Sequence, residues 1–135
     1  MAVAANVLIS LLVLQLGWQY LFRFGPDTIG NERVPVYYQN HGLREVVLVA
    51  TLAVVMLVLT WITPTLLRVA LLSVCGLGVV GSYWIAVGAV GLGRQFEEDA
   101  SDDLVPHVNH AIQVVIFGAG MVLKWITLTP SAVSA

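Results

Sequence analysis

The chain has 135 residues, 59% of them hydrophobic and only 10% charged, with a net charge of −2. A soluble globular domain carries roughly 25% charged residues, so the composition excludes an ordinary soluble enzyme, a disordered chain and a nucleic-acid binder. It describes one integral membrane domain, residues 1–135, with no basic run for nucleic acid or anionic lipid. Cys75 stands alone in an apolar run, so neither an intrachain disulfide nor a CxxC redox pair can form, and it is read as a small core hydrophobe.

The first apolar segment, Ala2–Phe22, has no charged side chain. As a helix it would span roughly 31 Å, matching a hydrocarbon core of about 30 Å. It lacks a basic start, and Arg23 and Phe24 follow it where a signal peptide would place small residues, so it is read as a retained helix. The 100° helical step puts Asn6, Ser10 and Gly17 on one face and Gln15 and Gln19 on the opposite one.

The second segment, Val46–Ile62, is extended backwards by Leu43 to Glu45, giving a helix over 43–62. Thr63-Pro64 then supplies an N-cap and a first-turn proline for a third helix over 64–92. The turn is tight, so the second and third helices should form an antiparallel hairpin. At roughly 40 Å the third helix should tilt, kink or protrude. Its residues Cys75, Gly78, Ser82 and Ala86 recur three or four apart, a spacing that lets backbones approach closely, within this chain or between copies or partners. Gly76, Gly78 and Gly81 spell GxGxxG, but no strand precedes them, so they do not mark a dinucleotide site.

The fourth helix is expected over 106–127, capped by Asp102 or Asp103, with Pro106 tolerated in its first turn. Asn109, Gln113, Gly120 and Lys124 form a polar or small stripe flanked by His110. Lys124, near the helix end, is able to snorkel to the interface.

These segments predict an all-α integral membrane protein, a four-helix transmembrane bundle. One end, face A, has both termini and the Thr63-Pro64 turn. The other, face B, has the two longer connections, 23–42 and 93–105. Trp61 and Trp125 would lie at the A interface, and Trp18, Tyr20, Tyr83 and Trp84 near B, as aromatic belts require. Face B has Arg23, Arg33, Arg44 and Arg94; face A has Arg68 and Lys124. That balance places B in the cytoplasm and both termini outside.

Amides in hydrocarbon are costly unless paired, so the polar residues should point inward or at a partner. His41, Asn109, His110, Gln113 and Gln19 are expected to line one polar pocket near face B, closed by Tyr37, Tyr38 and the acidic segment 97–103. Asn40-His41 and Asn109-His110 each precede a similar small–aliphatic–polar–Val-Val stretch, a short match read as coincidence that still places two Asn-His pairs at similar depth. His107, His110 and Asp103 have one-turn spacing compatible with a metal, but no HExxH or paired ExxH motif is present and no metal is assigned. No signature names a cofactor. No GxSxG elbow supports hydrolysis.

The leading functional reading is a non-catalytic subunit of a larger membrane complex, or a self-associating bundle through Gly78, Ser82 and Ala86. The bilayer is its first partner, and nucleic acid is excluded. The alternatives are a membrane-embedded oxidoreductase or lipid-modifying enzyme with a histidine site at face B, and a small transporter or channel lined by Gln15, Gln113 and Lys124.

Overall fold

The computed structural model describes residues 1–90 and 104–128. Among the described residues the chain is all-helical, with four helices long and apolar enough to cross a membrane. They are carried by α1 (Ala2–Trp18) with its helical continuation to Thr28, α2 (Val36–Trp61), α3 (Leu66–Val90) and α4 (Leu104–Ile126). The helices form a ring in which α1 packs on α2 and α4, and α3 packs on α2 and α4.

The first helical segment runs further than its apolar stretch. α1 passes into a π-helical turn, Gln19–Phe24, and then a short helical turn, Gly25–Thr28. The Gly25 N–H reaches back to the Tyr20 carbonyl, the wide spacing of a π turn. This turn ends just before Pro26, which has no N–H with which to continue an α ladder.

α2 begins at Val36, well upstream of the Leu43 start expected from apolarity. The polar run Tyr37–Gly42 is helical because Gln39 fixes the preceding loop. Its Nε2 donates to the Asn31 carbonyl at 2.9 Å and the Val34 carbonyl at 2.7 Å, while its Oε1 accepts from the Gly30 N–H at 3.1 Å. Gly30 has φ 76°, a left-handed conformation that favours glycine.

α2 ends at Trp61 and the chain becomes extended at Ile62. The cap of α3 is Thr65, whose Oγ1 accepts the Arg68 N–H at 3.3 Å. Thr63-Pro64 therefore forms the turn itself, and α3 begins two residues later than the proline signal placed it. The expected cap residues Asp102 and Asp103 of the fourth helix lie outside the described residues.

The core consists of Ile9, Leu12 and Leu16 from α1, Met56 from α2, Leu72 from α3, and Phe117 and Met121 from α4. Glycine sets the close approaches. A Cβ on Gly76 would fall inside the Phe117 ring, bringing α3 onto α4. A Cβ on Gly120 would lie 2.8 Å from the Ile9 side chain, bringing α4 onto α1. Within this chain the contact glycine of α3 is thus Gly76. Gly78 has open space beyond it and Ser82 is exposed, so no described residue packs on the outward face of α3 there. Large apolar side chains such as Leu14, Val54, Leu77 and Val115 cover the outer surface of all four helices, which suits contact with lipid.

Candidate functional site

The polar residues of α1 and α4 meet in one hydrogen-bonded cluster toward face B. Gln15 Nε2 donates to Asn109 Oδ1 at 2.6 Å. Asn109 Nδ2 donates to Gln19 Oε1 at 2.9 Å, and Gln113 Nε2 donates to the same oxygen at 2.9 Å. Gln113 is fully buried. Its own Oε1 is 3.1 Å from His110 Nδ1. Because an amide oxygen only accepts, the bond requires His110 to carry its proton on Nδ1.

Helical periodicity explains the convergence. Gln15 and Gln19 are four residues apart on one face of the first helix, and Asn109 and Gln113 repeat that spacing on α4. The antiparallel helices bring the two pairs level. Asn109 and Gln113 each donate to one neighbour and accept from another, while Gln15 donates and Gln19 accepts twice, so polar atoms that lipid cannot solvate find partners within the protein.

α3 extends the cluster through Tyr83. Its ring stacks on His110 with centroids 3.8 Å apart and planes at 13°. Its hydroxyl lies 2.5 Å from His107 Nδ1. Trp84 approaches His107 edge-on at 6.3 Å. Three helices therefore contribute to one polar and aromatic assembly. Tyr83 gave no sequence signal beyond its place in an aromatic belt, because nothing in a single sequence registers α3 against α4.

His41 lies elsewhere. It is exposed on α2 and packs edge-on against Tyr37, with ring centroids 4.5 Å apart. Among the described residues it makes no hydrogen bond to His110, Gln113, Asn109 or Gln19, whereas those four belong to one connected set. The two Asn-His pairs thus occupy different environments: Asn40 and His41 face outward, while Asn109 and His110 are engaged or buried. Tyr37 and Tyr38 are likewise exposed and pack on each other at 5.5 Å.

Among the described residues no group of three or more His, Cys, Asp or Glu side chains converges in a way that could hold a metal. His107 and His110 are on adjacent turns of α4, each with its Nδ1 engaged. Asp103 and the acidic segment lie outside the described residues. The channel-lining trio is interrupted. Gln113 belongs to the face-B cluster and Lys124 lies at face A, and the buried Phe117 and Met121 separate them along α4.

Lys124 does not snorkel. It is 4% exposed, and its Nζ donates to the Thr60 carbonyl at 2.6 Å. Nearby, Trp61 Nε1 donates to Ser10 Oγ at 3.0 Å. On the same face of α1, Asn6 Oδ1 is buried and has no hydrogen-bond partner among the described residues.

No protein-family model, curated protein or solved structure matches the chain. The functional reading therefore rests on the residues and their geometry.

Proposed function

We propose that the chain is a four-helix transmembrane bundle that serves as a non-catalytic subunit of a larger membrane complex, or associates with copies of itself. The observation that carries this reading is the mutual pairing of the interior amides. Gln15, Gln19, Asn109 and Gln113 bond to one another across α1 and α4, which is the work of interhelical glue. The outward face of α3 at Gly78 and Ser82, continued in sequence by Ala86, supplies a surface on which another helix could approach closely.

The test is purification from native membranes in a mild detergent. A stoichiometric protein partner, or a defined oligomer of this chain, supports the proposal. A monomer that carries a bound cofactor or turns over a substrate overturns it.

A second reading makes the cluster a ligand pocket of His110, Gln113, Asn109 and Gln19, with His41 joining only after a rearrangement. One observation favours it. The Nε2 atom of buried His110 has no hydrogen-bond partner among the described residues, so one polar atom of the cluster is left for an incoming group. On that reading the enzyme alternative, an oxidoreductase or lipid-modifying activity, would act at face B.

A further inference from the structure

The charges of this chain are segregated along its length. All eight acidic residues, Asp27, Glu32, Glu45 and the five within 97–103, belong by their place in the sequence to the half that ends at face B. The half that ends at face A has Arg68 and Lys124 and no carboxylate side chain at all. Among the described residues neither cation is paired with an acidic side chain; each bonds to a backbone carbonyl.

Both cations are held at one place, the C-terminal end of α2. Lys124 Nζ donates to the Thr60 carbonyl at 2.6 Å, and Arg68 Nη1 donates to the Thr63 carbonyl at 2.9 Å. A lysine ammonium has three donors and a guanidinium five, and among the described residues each side chain uses one on the protein. A neutral carbonyl orients a cation without cancelling its charge. Trp61, 59% exposed, and Trp125 sit in the same region, and such amphipathic rings mark the level of lipid head groups.

We infer that face A holds a phosphate-binding site, with Arg68 as the direct ligand and buried Lys124 as a second positive pole behind it. The occupant is a phosphate with no cation tethered to it, as in an anionic phospholipid head group or free phosphate; the choline of a zwitterionic lipid neutralises its own phosphate. Fixed positive charge at head-group depth favours such lipids by about fivefold per basic side chain.

The experiment uses the full chain with Trp18→Phe and Trp84→Phe, so that fluorescence reports from Trp61 and Trp125. It is reconstituted in vesicles that mix brominated phosphatidylglycerol with ordinary phosphatidylcholine, and then with the bromine label exchanged between the two lipids. Quenching should report a preference for phosphatidylglycerol of about fivefold or more. Arg68→Gln should reduce it towards parity, Arg68→Lys should retain most of it, and Arg44→Gln at the other end should leave it unchanged. Millimolar inorganic phosphate that competes with the brominated lipid supports a site open to any phosphate. Absence of competition supports a site specific to the lipid. Equal quenching by the two lipids, or a preference that survives both Arg68→Gln and Lys124→Met in folded protein, overturns the inference.

Discussion

Lys124 and Thr60 are 64 residues apart in sequence and joined by a 2.6 Å bond from the ammonium to the backbone carbonyl. The bond answers a backbone problem. α2 ends at Trp61, the chain is extended at Ile62, and the residue four beyond Thr60 is Pro64, which has no N–H to donate. The Thr60 carbonyl thus has no helical partner, and it sits at the negative end of the helix dipole, where a cation is favourable. The Thr60 hydroxyl is occupied separately, donating to the Met56 carbonyl at 2.6 Å.

Removing that cation should expose the problem. Lys124→Met keeps the length of the side chain but leaves the buried carbonyl unsatisfied, at a cost of about 1–3 kcal/mol. Thermal unfolding in detergent measures it. An unchanged melting temperature would mean that the carbonyl finds another donor and that Lys124 is not needed there.

Glycine substitutions should separate internal packing from association. Gly76→Leu drives a side chain into Phe117, and Gly120→Leu drives one into Ile9. Each should destabilise the monomer by about 1–3 kcal/mol. A Cβ on Gly78 meets no atom within 4 Å among the described residues, so Gly78→Leu should leave monomer stability unchanged. If the outward face of α3 mediates self-association, Gly78→Leu and Ser82→Leu should shift the size-exclusion profile to smaller species. Wild-type behaviour of both variants would leave that face to lipid.

The helix count, the antiparallel hairpin of α2 and α3, and the inward polar stripe of α4 were legible because each follows from local apolarity or from the 100° step. The α2 start was not. Tyr37–Gly42 is polar and carries a glycine, and only the side-chain ties of Gln39 to the loop before it explain why these residues are helical. The contact glycine was not legible either. Gly76 and Gly78 are equally small, and only the rotation of α3 against Phe117 distinguishes them. Depth alone groups His41 with His110, and depth carries no information on which way a helix is turned. Nearness to the helix end makes Lys124 able to snorkel, and that rule cannot foresee an unpaired carbonyl on a neighbouring helix.

The amide cluster should behave as a unit. Gln19 Oε1 accepts from both Asn109 and Gln113, so Gln19→Leu removes two acceptor contacts at once. In a double-mutant cycle, Gln19→Leu with Asn109→Leu should give a coupling of about 0.6–1.7 kcal/mol, the range of interhelical hydrogen bonds in membranes. Strict additivity of the two variants would show that the bond makes no energetic contribution.

Topology is open to a direct check. In a Cys75→Ser background, the single substitutions Glu32→Cys and Thr63→Cys place a thiol at exposed positions at opposite ends of α2. Each should react with an impermeant maleimide from a different side of sealed vesicles. Reaction of both from one side would remove α2 as a membrane span. The Lys/Arg balance predicts that the Glu32→Cys thiol should face the cytoplasm; its labelling from outside would reverse the orientation and leave the four spans intact.

His41 and His110 should respond differently to the same substitution, and the difference separates architecture from chemistry. His110 is 7% exposed, stacks on Tyr83 and bonds to Gln113. His110→Ala leaves a cavity beside the ring and the Gln113 oxygen without its donor, so it should cost in the upper part of the usual range of about 0.5–3 kcal/mol. His41 is exposed against Tyr37, and His41→Ala should change stability by no more than about 0.5 kcal/mol. Unfolding midpoints of both variants test this, and equal losses would place His41 in the core cluster. His110→Gln, which can still donate to Gln113, then divides the two functional readings. If the cluster is interhelical glue, the glutamine variant should recover stability and assembly together. If His110 meets a ligand through its Nε2 atom, stability should return while ligand binding or turnover remains lost.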